Sequence, residues 1–247
     1  MKRFSGKIAM VTGSSRGLGK AIALELALGG ATLIMHATKK SSEAEKTFKQ
    51  IQEISLKSKL YYADFTNPDE IAKMTLLIQK NFTHIDILVN NAGVQLSKVL
   101  QKITDDEWNT VMDVNINGTY YITKLLLRSI IKRGNGRIVN MSSIYGLIGE
   151  YGLTSYCTSK AAIIGFTKAL SKEVSKYNIT VNAICPGFTN AGMANNIQQK
   201  LLNKNIRSIP LQRVGKKEEV AKLVAFLCSD DAAYITGQII SINGGLF

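Results

Sequence analysis

The sequence predicts an α/β fold, a doubly wound sheet of about seven mainly parallel strands with helices on both faces. Three observations predict it. Short β-branched runs alternate with longer amphipathic stretches along the whole chain, an order that implies parallel pairing through right-handed crossovers. The runs are continuously apolar, as strands covered on both sides must be. A glycine cluster stands between the first run and the first helical stretch, where sheets of this Rossmann-like kind bind phosphate groups.

The elements follow in order. Lys7-Ile8-Ala9-Met10-Val11 is the first strand, and a helical pattern through Ile22, Leu24, Leu26 and Leu28 ends at Gly29-Gly30, as a C-terminal glycine pair should end it. Thr32-Leu33-Ile34-Met35 is the second strand, followed by the charged stretch from Ser41 to Lys57. Leu60-Tyr61-Tyr62 leads to Asp64 and then to Asn67-Pro68-Asp69, a helix start. Ile85 to Val89 is the fourth strand. Arg137 to Met141, the fifth, lies between long helical patterns at about Asp105–Lys132 and Thr154–Tyr177. Ile179 to Ile184 and Gln238 to Ile242 complete the set. One long irregular region, Pro186 to about Gly215, follows a strand's C-terminal end and has the length of a substrate lid. No linker-like boundary interrupts the chain, so residues 1–247 are expected to form a single Rossmann-like domain.

The composition narrows the function classes. With 247 residues, 45% of them hydrophobic, the chain can bury a stable core without a metal or a disulfide, and no metal site is expected. Its three cysteines, Cys157, Cys185 and Cys228, show no CxxC spacing, which fits a reducing compartment. No apolar stretch is long enough for a membrane span and the N-terminus carries no signal-like apolar segment, so a cytoplasmic protein is expected. The formal charge of +13 favours anionic partners, yet no nucleic-acid reader motif accompanies it and the basic residues are spread along the chain. Solvated lysine faces account for most of them, and neither nucleic acid nor membrane is expected as a partner.

Thr12-Gly13-Ser14-Ser15-Arg16-Gly17-Leu18-Gly19 follows the first strand with the spacing G-x-x-x-G-x-G. Glycines there allow a tight turn and let backbone N–H groups approach a pyrophosphate at the helix N-terminus. An acid about 20 residues past such a loop would bind the ribose 2′-hydroxyl of NAD. Here that zone reads His36-Ala37-Thr38-Lys39-Lys40, with no acid until Glu43, so the expected cofactor is NADP(H), with Arg16 meeting its 2′-phosphate. Lys39 and Lys40 read equally well as further contacts or as a solvated turn.

Tyr156 and Lys160 stand at i and i+4 near the start of a helical pattern and share its face. An ammonium beside a phenol is expected to lower its pKa from about 10 and make an acid/base unit. Alone, Tyr-x-x-x-Lys is a common spacing and reads as a surface helical pair. Ser143, however, ends the fifth strand, where its hydroxyl can donate to a carbonyl oxygen that the tyrosine protonates. Asn90-Asn91-Ala92-Gly93 ends the fourth, and Asn115 lies inside a helical pattern, where asparagine is disfavoured unless its side chain has a specific job. A packing role for Asn115 stays open at this level.

Together, Thr12 to Gly19, Asn90 to Gly93, Asn115, Ser143 and Tyr156-x-x-x-Lys160 resemble the short-chain dehydrogenase/reductase family, and Pro186-Gly187, Ile235-Thr236-Gly237 and Asn243-Gly244-Gly245 fit as well. The resemblance covers essentially the whole chain. It implies a catalytic set of Asn115, Ser143, Tyr156 and Lys160: Tyr156 as proton donor, Lys160 holding the nicotinamide ribose, Ser143 orienting the carbonyl and Asn115 anchoring a relay water. It implies cofactor contacts from Gly13, Ser14, Ser15, Arg16, Gly17, Leu18 and Gly19, from Thr38, Asp64 and Phe65, from Asn91, Ala92 and Gly93, and from Pro186, Gly187 and Thr189, besides Tyr156 and Lys160. Relatives assemble as dimers or tetramers through the two long helices.

Within the family, Val11 to Gly17, Asp105 to Asn109 and Ile209 to Gly237 are most similar to reductases of β-ketoacyl thioesters carried on an acidic acyl carrier protein, for which Arg128, Lys132 and Lys172 are docking candidates. Departures from that pattern cluster near the substrate: Ala191 replaces an expected threonine, Leu153 an expected glutamine, and Val94 to Lys98 lacks the usual Thr-Arg-Asp. The same chemistry on acetoacetyl-CoA, a polyketide, a steroid or a small ketone therefore stays open, as does, more remotely, a nucleotide-binding protein without catalysis.

Overall fold

The computed structural model describes residues 2–191 and 206–247. Seven strands form one sheet in the order β3-β2-β1-β4-β5-β6-β7, and every pairing is parallel. They are β1 (Ile8–Val11), β2 (Thr32–Ala37), β3 (Lys59–Tyr62), β4 (Ile87–Asn90), β5 (Gly136–Met141), β6 (Ile179–Pro186) and β7 (Ile239–Ile242). The helices are α1 (Gly17–Leu28), α2 (Ser42–Ile54), α3 (Pro68–Asn81), α4 (Asp105–Met112), α5 (Gly118–Arg133), α6 (Tyr145–Ile148), α7 (Thr154–Val174) and α8 (Lys217–Leu227). The order of strands reverses between β1 and β4, and in open α/β sheets the crevice at that switch point is where ligands bind.

Apolar side chains alternate between two cores, one on each face of the sheet. Val11, Met35, Val89 and Met141 face a core closed by Ile22 and Leu26 of α1 and Val220 and Val224 of α8. Met10, Ile34, Leu88, Ile138 and Val181 face the other, closed by Ile71 and Ile78 of α3, Ile122 and Leu126 of α5, and Leu170 of α7. Strand ends differ from the sequence reading by one or two residues. β4 starts at Ile87 because Asp86 turns its carboxylate onto the Ile8 amide (2.8 Å) and the Arg133 guanidinium (3.0 Å).

Caps account for the helix starts. The Asn67 side chain accepts from the Asp69 and Glu70 amides with Pro68 in the first turn, as its sequence predicts, and Thr104 with Glu107 forms a reciprocal capping box on α4. Two expectations need correction. The helix expected over Asp105–Lys132 is interrupted by a π-helical turn at Asp113–Asn117, which separates α4 from α5 and contains Asn115. The region expected to be irregular from Pro186 begins inside β6, and the part of the lid from 192 to 205 lies outside the described residues.

Candidate active site

The C-terminal ends of β1, β4, β5 and β6 lie side by side, in register Val11 with Val89, Asn90 with Asn140, and Met141 with Ile184. A buried polar ladder fixes the helices that carry the site to these strands. Asn90 Nδ2 donates to Thr123 Oγ1 of α5 (3.0 Å) and to Asn140 Oδ1 (2.8 Å), and Asn140 Nδ2 donates to Thr167 Oγ1 of α7 (2.9 Å).

On that frame the four predicted catalytic side chains come together, all of them buried. Lys160 Nζ donates to the Met141 carbonyl at the end of β5 (2.8 Å) and lies 5.7 Å from the centroid of the Tyr156 ring. Ser142 Oγ donates to the Lys160 carbonyl (2.7 Å), tying the helix to the same strand end. Ser143 Oγ, one residue on, accepts from the Tyr145 amide (3.2 Å). Asn115 occupies the π-helical turn, a local widening that recurs at functional sites. Its Oδ1 accepts from the Val94 amide (2.8 Å), and its Nδ2 donates to the Val94 carbonyl (3.0 Å) and to Ser159 Oγ of α7 (2.8 Å). A Cβ at Gly93 would come within 3.2 Å of Asn115 Oδ1 and 3.3 Å of Lys160 Nζ, so the end of β4 closes tightly over both groups.

The electrostatics differ from the sequence expectation in one respect. Burial pushes Tyr156 above the ordinary tyrosine value, while the Ser143 side chain works the other way. Lys160, whose Nζ donates to the Met141 carbonyl, is itself buried, which pushes it down to about 8. The phenol is therefore protonated at neutral pH.

The glycine loop is held from two sides. Thr12 Oγ1 accepts from the Asn91 and Ala92 amides, both at 2.9 Å, and Asn91 Nδ2 donates to the carbonyls of Thr12 (2.9 Å) and Gly13 (3.1 Å). Asn91 thus acts as a strut between β4 and the loop. Gly13 has φ +62, and a Cβ at Gly19 would collide with the Gly13 carbonyl oxygen, so neither position tolerates a side chain without the loop moving. Arg16, at the N-cap of α1, makes no capping bond, and the first turn has no acid; the opening amides stand uncapped, an arrangement that favours an anion. Leu18 belongs to this turn. Thr47 Oγ1 fixes Ser15 through its carbonyl (2.7 Å), and Ser14 turns its hydroxyl onto the backbone of His36.

At the far edge, Thr38, Lys39 and Lys40 are exposed beyond β2, and Arg16 lies 3.8 Å from Glu43 of α2. Asp64 Oδ1 closes its own turn onto the Thr66 amide (2.9 Å) and hydroxyl (2.8 Å). The Phe65 ring is buried, stacked on His36 at 4.2 Å, so this residue offers a ligand no free ring face on that side. Pro186 ends β6, the Gly187 amide donates to the Ile242 carbonyl (2.9 Å), and Thr189 forms a β-bridge with Gly215, joining the two ends of the segment expected to be a lid. Ala191 follows, two residues beyond that bridge.

Several contributors carry no motif. Ser159 orients Asn115, and Tyr145 meets Phe188 edge-on at 6.2 Å beside Tyr156. The replacement of a glutamine by Leu153 puts a buried apolar side chain at the head of α7, and Ser155 Oγ, nearby and fully buried, has no hydrogen-bond partner among the described residues.

A family model described as Enoyl-(Acyl carrier protein) reductase matches residues 13–247. The chain is 41% identical over 243 residues to a 3-oxoacyl-[acyl-carrier-protein] reductase of Haemophilus influenzae, covering 98% of both chains. The chain belongs to the short-chain dehydrogenase/reductase family. It is also 40% identical over 241 residues to a 3-oxoacyl-[acyl-carrier-protein] reductase of Buchnera aphidicola (98% of this chain, 97% of the relative). A Rhizobium protein named nodulation protein G is 39% identical over 246 residues, covering 100% of this chain and 99% of its own. Among the described residues no helix is long and apolar enough to cross a membrane, and no group of side chains is placed to hold a metal.

Proposed function

We propose that the chain is an NADPH-dependent 3-oxoacyl-[acyl-carrier-protein] reductase, which converts a β-ketoacyl thioester to its β-hydroxyacyl form. The observation that carries the chemistry is the buried Tyr156 phenol, kept protonated beside Ser143 with Lys160 at its ring. The substrate class rests on the relatives that bear that name, matched over nearly the whole chain.

The cradle suits a nicotinamide dinucleotide: an uncapped helix N-terminus for the pyrophosphate, glycines whose Cβ would fill the space, and Lys160 beneath the end of β4. When bound in its reduced form the cofactor supplies a hydride to the carbonyl carbon. Ser143 Oγ holds the carbonyl oxygen by a hydrogen bond, and the Tyr156 phenol transfers its proton to that oxygen, so the ketone gains one hydride and one proton. Lys160, protonated below about pH 8, stabilises the phenolate left behind until a proton returns from solvent. Asn115 keeps β4, α7 and the π-helical turn in contact, which sets the spacing between Lys160 and the cofactor side of the site.

The preference for NADPH follows from Arg16, exposed at the N-cap of α1 with Glu43 as its neighbour at 3.8 Å. A 2′-phosphate would displace that weak exposed pair with a charge-assisted one. Arg16→Ala is expected to raise the KM for NADPH about tenfold, the loss of one hydrogen bond to a charged group, and to leave the KM for NADH nearly unchanged. Steady-state kinetics with both cofactors check this, and equal effects on the two would refute the assignment.

Exposed Arg128, Lys132 and Lys172 support docking of an acidic carrier, and Lys172 shares an open groove with Lys168, Ser171 and Gln238. Assembly into dimers or tetramers through α4, α5 and α7 and residence in the cytoplasm belong to the same reading, as does one functional domain spanning residues 1–247. The deciding experiment compares kcat/KM on acetoacetyl-carrier protein, acetoacetyl-CoA and free ketones with NADPH. The carrier-bound substrate is expected to be turned over fastest; faster turnover of free ketones would replace this substrate class with theirs.

A further inference from the structure

His36 is a buried imidazole that the proposed chemistry does not use, and it joins three parts of the cofactor side of the molecule. Its Nδ1 accepts the Gly13 amide at 3.0 Å, at the first glycine of the loop. Because Nδ1 accepts, the ring proton sits on Nε2, which donates to the Ala63 carbonyl at 3.0 Å, at the turn between β3 and α3 that carries Asp64. The ring stacks on Phe65 with centroids 4.2 Å apart and planes 21° apart, and Phe65 in turn fills the space over Gly118, the first residue of α5. The His36 backbone completes the clasp: its amide donates to Ser14 Oγ (3.0 Å), and its carbonyl accepts from the Ser14 amide (2.9 Å).

We propose that His36 is a positioning residue of the cofactor site, whose imidazole holds the Gly13 amide and the Ala63–Phe65 turn at a set distance and so keeps the glycine loop in its binding shape. The inference rests on the reading of that loop as the cofactor site. The ring serves both partners in one protonation pattern, acceptor towards the loop and donor towards the turn, and the loop itself depends on the acceptor. Without the acceptor the part-buried Gly13 N–H has no partner on that side, and the loop must shift to bring it to water. An opened loop binds the cofactor in proportion to the fraction of time it is closed.

The test uses the full chain and three substitutions. Asparagine places its Oδ1 where Nδ1 stands, so His36→Asn keeps the Gly13 bond. His36→Gln reaches Ala63 but not Gly13, and His36→Leu reaches neither. Kd values for NADPH and NADH are measured by titration, and hydrogen exchange of the 12–18 segment is followed without cofactor. His36→Leu and His36→Gln are expected to weaken both cofactors about tenfold, since leaving the part-buried N–H unpaired costs on that order. They should speed exchange at Gly13 and raise the cofactor KM more than they change kcat. His36→Asn is expected to stay within about threefold of the parent in Kd and in exchange. Arg16→Glu, which sets a carboxylate at the helix N-cap, serves as the control for the loop itself. If it weakens binding while His36→Leu does not, or if asparagine is as damaging as leucine, His36 has only a packing role and the proposal fails. If neither Arg16→Glu nor His36→Leu alters binding, the loop reading fails together with the proposal.

Discussion

Tyr156→Phe is expected to lower kcat by about a thousandfold while leaving the Kd for NADPH unchanged, because general acid catalysis by a positioned side chain contributes on that order. The substitution removes one oxygen from a ring that stays buried beside Lys160, so the packing of α7 against β5 and β6 is retained. The phenol is kept above its ordinary pKa by burial, and the donor is therefore fully protonated wherever the enzyme is assayed near neutrality. Two consequences separate this role from a structural one. Thermal unfolding of the variant should match the parent, and alcohol oxidation by the parent, which needs the phenolate, should gain from rising pH where reduction does not. Unchanged turnover of every accepted ketone by Tyr156→Phe would remove Tyr156 from the chemistry.

Most of the frame was readable because its signals are local. A run of apolar β-branched residues cannot sit in water, and a glycine pair ends a helix wherever it falls, so the seven strands and α1, α3 and α7 follow from sequence neighbours. The Tyr156, Lys160 and Ser143 group was legible for a different reason: each stands at a strand end or in the first two turns of a helix, where the topology brings them together. Asn115 showed itself as a polar residue in the wrong place, though nothing in its neighbours specified a π-helical turn. That turn exists because the Asn115 side chain bonds to both Val94 backbone groups and to Ser159, partners remote in sequence. His36 was silent for the same reason. It lies near the end of an ordinary strand, and its role depends on Gly13, Ala63 and Phe65, which only the folded sheet assembles. The upward displacement of the Tyr156 pKa was missed because burial cannot be read from a helical spacing.

His36 also carries a pH effect on stability in the acid range. Burial lowers its pKa from 6.5 to about 4, while the Ala63 carbonyl and the Asp64 carboxylate oppose that change without overcoming it. The groups facing it are the Gly13 amide and Ser14 on the loop, Ala63, Asp64 and the Phe65 ring on the turn, and of these Asp64 alone is charged. Protonation would turn Nδ1 into a donor pointing at the Gly13 N–H, two donors in contact within the core. The folded pKa lies below the unfolded one, so the unfolded chain binds a proton that the folded chain refuses. The stabilisation is therefore whole above pH 6.5 and is lost as pH falls towards 4. The loss amounts to about 3 kcal/mol, because each tenfold difference in proton affinity between the two states is worth about 1.4 kcal/mol. Glu107 and Glu219, held below the usual carboxylate range by Lys98 and Arg213, also lose stabilisation on acidification. They do so equally in every variant. Urea unfolding of the parent and of His36→Asn at pH 7 and pH 4 isolates the difference: asparagine cannot titrate, and its stability should fall by about 3 kcal/mol less across that interval. Parallel losses in the two proteins would mean that the imidazole is free to protonate in the fold, and that the Gly13 clasp does not select its neutral form.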